Sequence, residues 1–263
     1  VFDPWLAGSG FLVGTLVGLT GVGGGALMTP LLILLFGVRP TLAVGSDLAY
    51  ATITKAVGSV QYLRRGQVNF PYVRWLVIGS VPASVLAVTV LTPRFATLGI
   101  DIEHFTTRGL GLMLVLVAAL TLTERWFYAG RLRDSRLIRS RTVQKRFKEP
   151  ILIVGGILIG TGVGLTSVGS GALLMAILLL VSELDLLMLI GTDIVHSTLL
   201  LAAAGAAHWA KGNVELQLVV GLLIGSVPGV WLGSRLSQIA PRAPLRAGVA
   251  ILLGAIGLHL IGK

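Results

Sequence analysis

The chain has 263 residues, 54% hydrophobic and 12% charged, with 21 Lys and Arg against 11 Asp and Glu for a formal net charge of +10. A soluble domain carries about 25% charged residues, so this composition, with a mean hydropathy of +0.90, excludes a water-soluble globular fold and points to an integral membrane protein. Cysteine is absent, which excludes disulfides and thiolate metal sites.

Apolar runs of roughly 20 residues, long enough to cross about 30 Å of hydrocarbon as helix, succeed one another at 5–36, 42–63, 72–92, 107–128, 151–181, 187–209, 215–236 and 244–262. They are continuous rather than alternating, so the expected fold is an all-α, polytopic membrane bundle and not a β-barrel. The first run lacks a basic leading region and does not read as a cleaved signal peptide.

That first run contains GTLVGLTGVGGGAL, residues 14–27, with six glycines in fourteen positions. Glycine weakens a helix by about 1 kcal/mol relative to alanine, so its placement calls for two explanations. Gly10, Gly14 and Gly18 recur every four residues and make a small-residue stripe for close helix packing. Gly21, Gly23, Gly24 and Gly25 do not share a face; they suit an unwound turn, either a structural hinge or an anion site. A half-helix starting after such a turn offers free N–H groups and the positive end of its dipole to an anion, with the Thr20 hydroxyl alongside.

The second run carries Asp47 and, eight residues on, Lys55. A charge near the bilayer centre costs at least about 2.5 to 3.5 kcal/mol on insertion scales, which favours functional roles: Lys55 as the positive charge for a substrate, Asp47 as a proton-coupling or gating group. The alternative for Asp47 is a helix N-cap. Pro82, in Gly79-Ser-Val-Pro82 of the third run, reads as a fixed packing kink.

Between the halves, eight basic residues fall in RLRDSRLIRSRTVQKRFKEP, residues 131–150, opposed before Glu149 by Asp134 alone. In a chain of membrane spans a short Lys/Arg-rich connection is the cytoplasmic topology signal, not a nucleic-acid patch. The expected division is 1–128, a first transmembrane repeat; 129–149, a basic cytoplasmic loop; and 150–263, a second repeat.

The repeat is visible directly. Residues 160–173, GTGVGLTSVGSGAL, match residues 14–27 at 11 of 14 positions, an offset of 146 that holds without a gap. Gly45-Ser46-Asp47 meets Gly191-Thr192-Asp193, and Gly79-Ser80-Val81-Pro82 meets Gly225-Ser226-Val227-Pro228. The second glycine motif adds hydroxyls, giving Thr166, Ser167, Gly169, Ser170 and Gly171 as its candidate site residues. Lys55 has Leu201 as its counterpart, and that asymmetry favours a substrate or counter-ion role.

His196 follows Asp193 by three residues, on one helix face, so Asp193 could hold the ring for proton exchange; a satisfied core histidine is the rival reading. His208 beside Trp209 reads as an interfacial anchor. If each glycine segment is a re-entrant hairpin, each half makes three crossings and the repeats are inverted; one long span instead would make them parallel. Inversion is favoured because it gathers Arg64, Arg65, Arg235, Arg242 and Arg246 on the side of the basic loop.

Duplicated halves are the mark of secondary transporters, whose substrate sites lie where the repeats meet. The chain shows no metal-ligand cluster, nucleotide loop or nucleophile triad, so neither an enzyme nor a cofactor is expected. GVGGGALMTPLL, AVGSDLAYATITKAVGSVQYLRRGQVNF, GLTSVGSGALL, IGTDIVHSTLLLAAAGAAHWAKGNVEL and IGSVPGVWLGSRLS resemble the sulfite exporter TauE/SafE family over essentially the whole chain. The resemblance implies a multi-pass protein of the cytoplasmic membrane moving sulfite, organosulfonate or a related small sulfur-containing anion, commonly outward. The expected partners are that anion and the lipid bilayer, with a homodimer compatible with the sequence. An anion channel and proton-coupled uptake of another small organic anion are the alternatives, and a membrane scaffold without transport is the rival from outside the transport class.

Overall fold

The computed structural model describes residues 4–20, 25–133, 141–182, 184–236 and 242–263. Among them the regular structure is helical: α1 Pro4–Thr20, α2 Gly25–Phe36, α3 Pro40–Arg64, α4 Phe70–Leu86, a π-turn Ala87–Leu91 running into α5 Thr92–Thr97, α6 Ile102–Arg133, α7 Arg141–Thr166, α8 Ala172–Val181, α9 Leu186–Ala210, α10 Leu216–Leu236 and α11 Arg242–Ile261. Among the described residues, six stretches are long and apolar enough to span a membrane: Phe70–Thr97, Ile102–Thr123, Lys148–Thr166, Leu186–Ala210, Leu216–Leu236 and Pro244–Ile261. Helix α3 has 25 residues and at 1.5 Å per residue is about 37 Å long, and it carries Asp47 and Lys55 within its length.

Local chemistry sets the boundaries. Asn69 caps α4 by accepting from the Tyr72 amide, and Asp185 caps α9 by accepting from the Met188 amide at 2.9 Å. Helices α3 and α9 end alike: Gly66 and Gly212 take φ of 64° and 72°, and the next amides reach back to the Tyr62 and His208 carbonyls at 3.0 and 2.9 Å. This is the glycine-terminated turn that satisfies the last orphan carbonyls of a helix. The segment expected to be a basic loop is helical at both ends, since α6 continues to Arg133 and α7 begins at Arg141. The third run does not stop at Pro82; α4 passes through it and the helix extends by way of the π-turn to Thr97.

Lipid tails are as apolar as leucine, so membrane helices associate through close backbone packing rather than a hydrophobic drive. The glycine stripes supply it. A Cβ on Gly10 would lie 2.6 Å from the Leu222 carbonyl oxygen, one on Gly14 2.6 Å from that of Ser226, and one on Gly18 2.5 Å from that of Val230. Both numberings rise together, so α1 and α10 run in the same direction. Gly156, Gly160 and Gly164 likewise sit against Leu76, Ser80 and Ser84, so α7 and α4 run in the same direction too.

The other two pairings run the opposite way. Along α3 and α9, Gly45 meets His208, Leu48 meets Gly205 and Gly58 meets Ile194. Along α6 and α11, Ala118 meets Gly254 and Gly111 meets Gly257 and Ile261. Two cross-connections bind the centre: the Asn69 amide donates to Thr192 Oγ1 and the Glu215 amide to Ser46 Oγ, each at 3.0 Å. Large apolar side chains such as Leu12, Leu112, Leu158, Val227 and Ile251 point outward, where a bilayer would meet them.

Candidate functional site

Helix α7 stops at Thr166 because the backbone turns out of the helix there. Ser167 has φ 63° and Gly169 φ 106°, and Ser167–Gly171 is non-helical until α8 starts at Ala172. An L-residue such as Ser167 pays for a left-handed conformation, and its side chain has a strong partner to hold it.

That partner is Asp47. Its Oδ2 accepts from Ser167 Oγ and from Thr29 Oγ1 of α2, both at 2.6 Å. Asp47 is completely buried, and its Oδ1 has no partner. The alternative reading of Asp47 as an N-cap is overturned: α3 begins at Pro40 and α9 at Leu186, so Asp47 and its counterpart Asp193 each sit well inside a helix, and the cap of α9 is Asp185.

The start of α2 closes against the same point. A Cβ on Gly25 would lie 2.8 Å from the Ser167 carbonyl oxygen, 3.1 Å from Asp47 Oδ2 and 3.2 Å from Ser167 Oγ. Only glycine lets the two chains approach so closely. Of the first glycine cluster, Gly21, Gly23 and Gly24 lie outside the described residues, as does the side chain of Thr20; Gly25 is the member whose surroundings are described.

Lys55 lies about two turns beyond Asp47 on α3 and donates through Nζ to Ser170 Oγ at 3.1 Å. Ser197 of α9 donates to the Ser170 carbonyl at 2.6 Å and approaches Asp193 Oδ1 at 3.4 Å. Two helices running in opposite directions thus bring Asp47, Lys55 and Ser197 onto Ser167–Gly171, with Asp193 beside Ser197. Thr166 holds the turn from inside: its Oγ1 donates to the Gly162 carbonyl at 2.7 Å and accepts from the Val168 amide at 3.3 Å. Gly171 has open space around it.

His196 follows the core reading, and His208 departs from the interfacial one. His196 is fully buried, and its Nε2 pairs with Ser80 Oγ of α4 at 2.8 Å rather than with Asp193. His208 is buried, not interfacial: Nε2 donates to the Gly164 carbonyl at 2.8 Å, while Trp209 beside it is exposed. Thr29 and Ser197 carry no local signal in the sequence, because what distinguishes them is a partner 18 and 27 residues away. The arrangement is a buried, charged and hydroxyl-rich cluster around non-helical backbone, which membrane interiors tolerate only where protein buries it or a cavity needs it.

A family model described as sulfite exporter TauE/SafE matches residues 6–260. The chain is 41% identical over 253 residues, 96% of its length and 97% of the relative's, to the probable membrane transporter protein YjnA of Bacillus subtilis (strain 168). It is 26% identical over 254 residues (95% and 97%) to the probable membrane transporter protein YdhB of the same organism. It is 24% identical over 265 residues (97% and 94%) to a probable membrane transporter protein of Xylella fastidiosa (strain Temecula1). No solved structure matches the chain significantly.

Proposed function

The chain belongs to the sulfite exporter TauE/SafE family, and from that premise we propose that it is a secondary transporter for sulfite, an organosulfonate or a related small sulfur-containing anion. It works by alternating access and carries the anion outward across the cytoplasmic membrane. The observation that carries this reading is the bond from Lys55 to Ser170 within Ser167–Gly171, beside the start of α2 at Gly25.

The anion binds between the two glycine-rich tips. Gly21, Gly23, Gly24, Gly25 and Thr20 line it from the first, and Thr166, Ser167, Gly169, Ser170 and Gly171 from the second. The N-termini of α2 and α8 supply amide donors and positive dipole ends. Lys55 supplies the full positive charge, having spent one of its three N–H donors on Ser170.

The halves are inverted repeats. In support, α3 and α9 begin and end 146 residues apart and run in opposite directions, and α6 and α11 also oppose each other. Asp47 ties the second tip to α2 and α3, so protonation there, and at Asp193, is suited to release or regrip the tip. His196, paired with Ser80 on α4, acts in this reading as a gating contact. The basic segment 129–149 faces the cytoplasm. Outward movement of an anion from an inside-negative cell gains about 2.3 kcal/mol per charge per 100 mV, so export requires no further energy source.

The test is flux of labelled sulfite and of a short alkyl sulfonate in proteoliposomes with an imposed potential. Saturable flux with counter-transport supports the reading; linear flux without counter-transport moves it to a channel, and no flux of either anion removes it. Unchanged flux of Asp47→Asn across a pH gradient removes the proton role.

A further inference from the structure

A cleft of about 210 Å³ opens among the start of α3, the π-turn with α5, the start of α6 and the end of α9. Helix α6 begins at this cleft and reaches Arg133 31 residues later, about 46 Å along its axis. The cleft mouth is therefore on the face opposite the basic segment. Its inner end is formed by Gly164 and Leu165, one residue short of Thr166 and the non-helical stretch. The cavity leads from the far face toward the site described above.

Its lining is suited to an anion. Lys211, exposed just past α9, stands in the lining with Asn213 and Thr106, and no carboxylate lines the wall. The nearest acid known from contacts, Glu103, is engaged by the Thr41 amide at 2.9 Å and its hydroxyl at 2.7 Å. His208 closes the inner wall through its bond to Gly164.

We propose that this cleft is an anion vestibule, in which Lys211 gathers a small oxyanion or sulfonate on the face away from the basic segment. In the outward direction the anion leaves Ser167–Gly171 along the end of α7 and is drawn into this cleft. The inference rests on the anion-carrier reading for its physiological ligand, but the potential of the cleft can be measured without transport.

The chain has no cysteine, so single thiols can be introduced cleanly. Thr106→Cys, and Ala96→Cys as a second position on α5 should the first not fold, are labelled in vesicles of both orientations with two methanethiosulfonates, one bearing a sulfonate and one a trimethylammonium. Leu112→Cys, on an outward-facing position of α6, is the lipid control and stays unlabelled. The expected result is labelling from the face opposite the basic segment, faster for the sulfonate reagent. Lys211→Glu then lowers the sulfonate-to-ammonium rate ratio by at least about fivefold at low ionic strength, the effect of a two-unit charge change within several ångströms. Labelling from the basic face, or a ratio unmoved by Lys211→Glu, overturns the vestibule. Because labelling needs no transported substrate, a chain that labels as expected yet moves no anion refutes the carrier reading and leaves the vestibule standing.

Discussion

Replacing Ser167 by alanine removes one of the two hydroxyls that Asp47 Oδ2 accepts, both at 2.6 Å. Hydrogen bonds to charged groups contribute about 1.5 to 3 kcal/mol. Asp47 is fully buried and its Oδ1 has no other partner, so nothing nearby replaces the lost donor and the upper part of that range applies. A change of 1 kcal/mol moves the midpoint of a chain this size by about 2 to 4 °C, so Ser167→Ala lowers it by about 4 to 12 °C. The assay is thermal unfolding in detergent followed by tryptophan fluorescence, run as a double-mutant cycle with Asp47→Ala. With the carboxyl gone, Ser167→Ala costs about 0.5 kcal/mol or less, leaving a coupling of at least about 1.5 kcal/mol, within the range for residues in contact. An equal cost in both backgrounds refutes the claim that Asp47 holds the second tip.

The stripe glycines give a signed contrast in the same assay. Gly160→Leu is expected to destabilise by about 2 kcal/mol or more, as overpacking does, because even a Cβ there lies 2.6 Å from Ser80 Cα; Gly8→Ala, with nothing within 4 Å, is expected to be neutral or to stabilise by up to about 1 kcal/mol. Asp185→Ala removes the α9 cap at Met188 and costs about 1 kcal/mol, read as a lower unfolding midpoint. Ser197→Ala frees the Ser170 carbonyl and is expected to slow anion flux more than it lowers the midpoint, measured by running both assays on the one variant.

The helical class, the positions of the spans and the packing stripes were legible because each rests on local pattern: apolar length and four-residue spacing. Asp47 and Lys55 were legible as well, since a charge in an apolar run stands out. What they touch was not. Ser167 and Ser170 lie 120 and 115 residues from their partners, and no periodicity encodes that distance. His208 was misread because a histidine next to tryptophan at a helix end has the composition of an interface; the contact that buries it comes from Gly164, 44 residues earlier. Asp185 was not legible because it is one of several polar residues, Ser182, Glu183 and Asp185, that precede the apolar run, and composition does not say which of them caps the helix.

The central claim is that an anion binds where Lys55 meets the second tip. Binding stabilises the folded state by about 2.7 kcal/mol at a ligand concentration one hundred times the dissociation constant, so the direct measurement is a thermal-shift screen of sulfite, alkyl sulfonates, sulfate and chloride on the native chain and on Lys55→Gln. The account predicts a concentration-dependent rise in the native midpoint with sulfite or a sulfonate, absent or shifted to at least about tenfold higher concentration in Lys55→Gln. A rise of the same size at the same concentration in Lys55→Gln, or no rise with any of these anions, contradicts it.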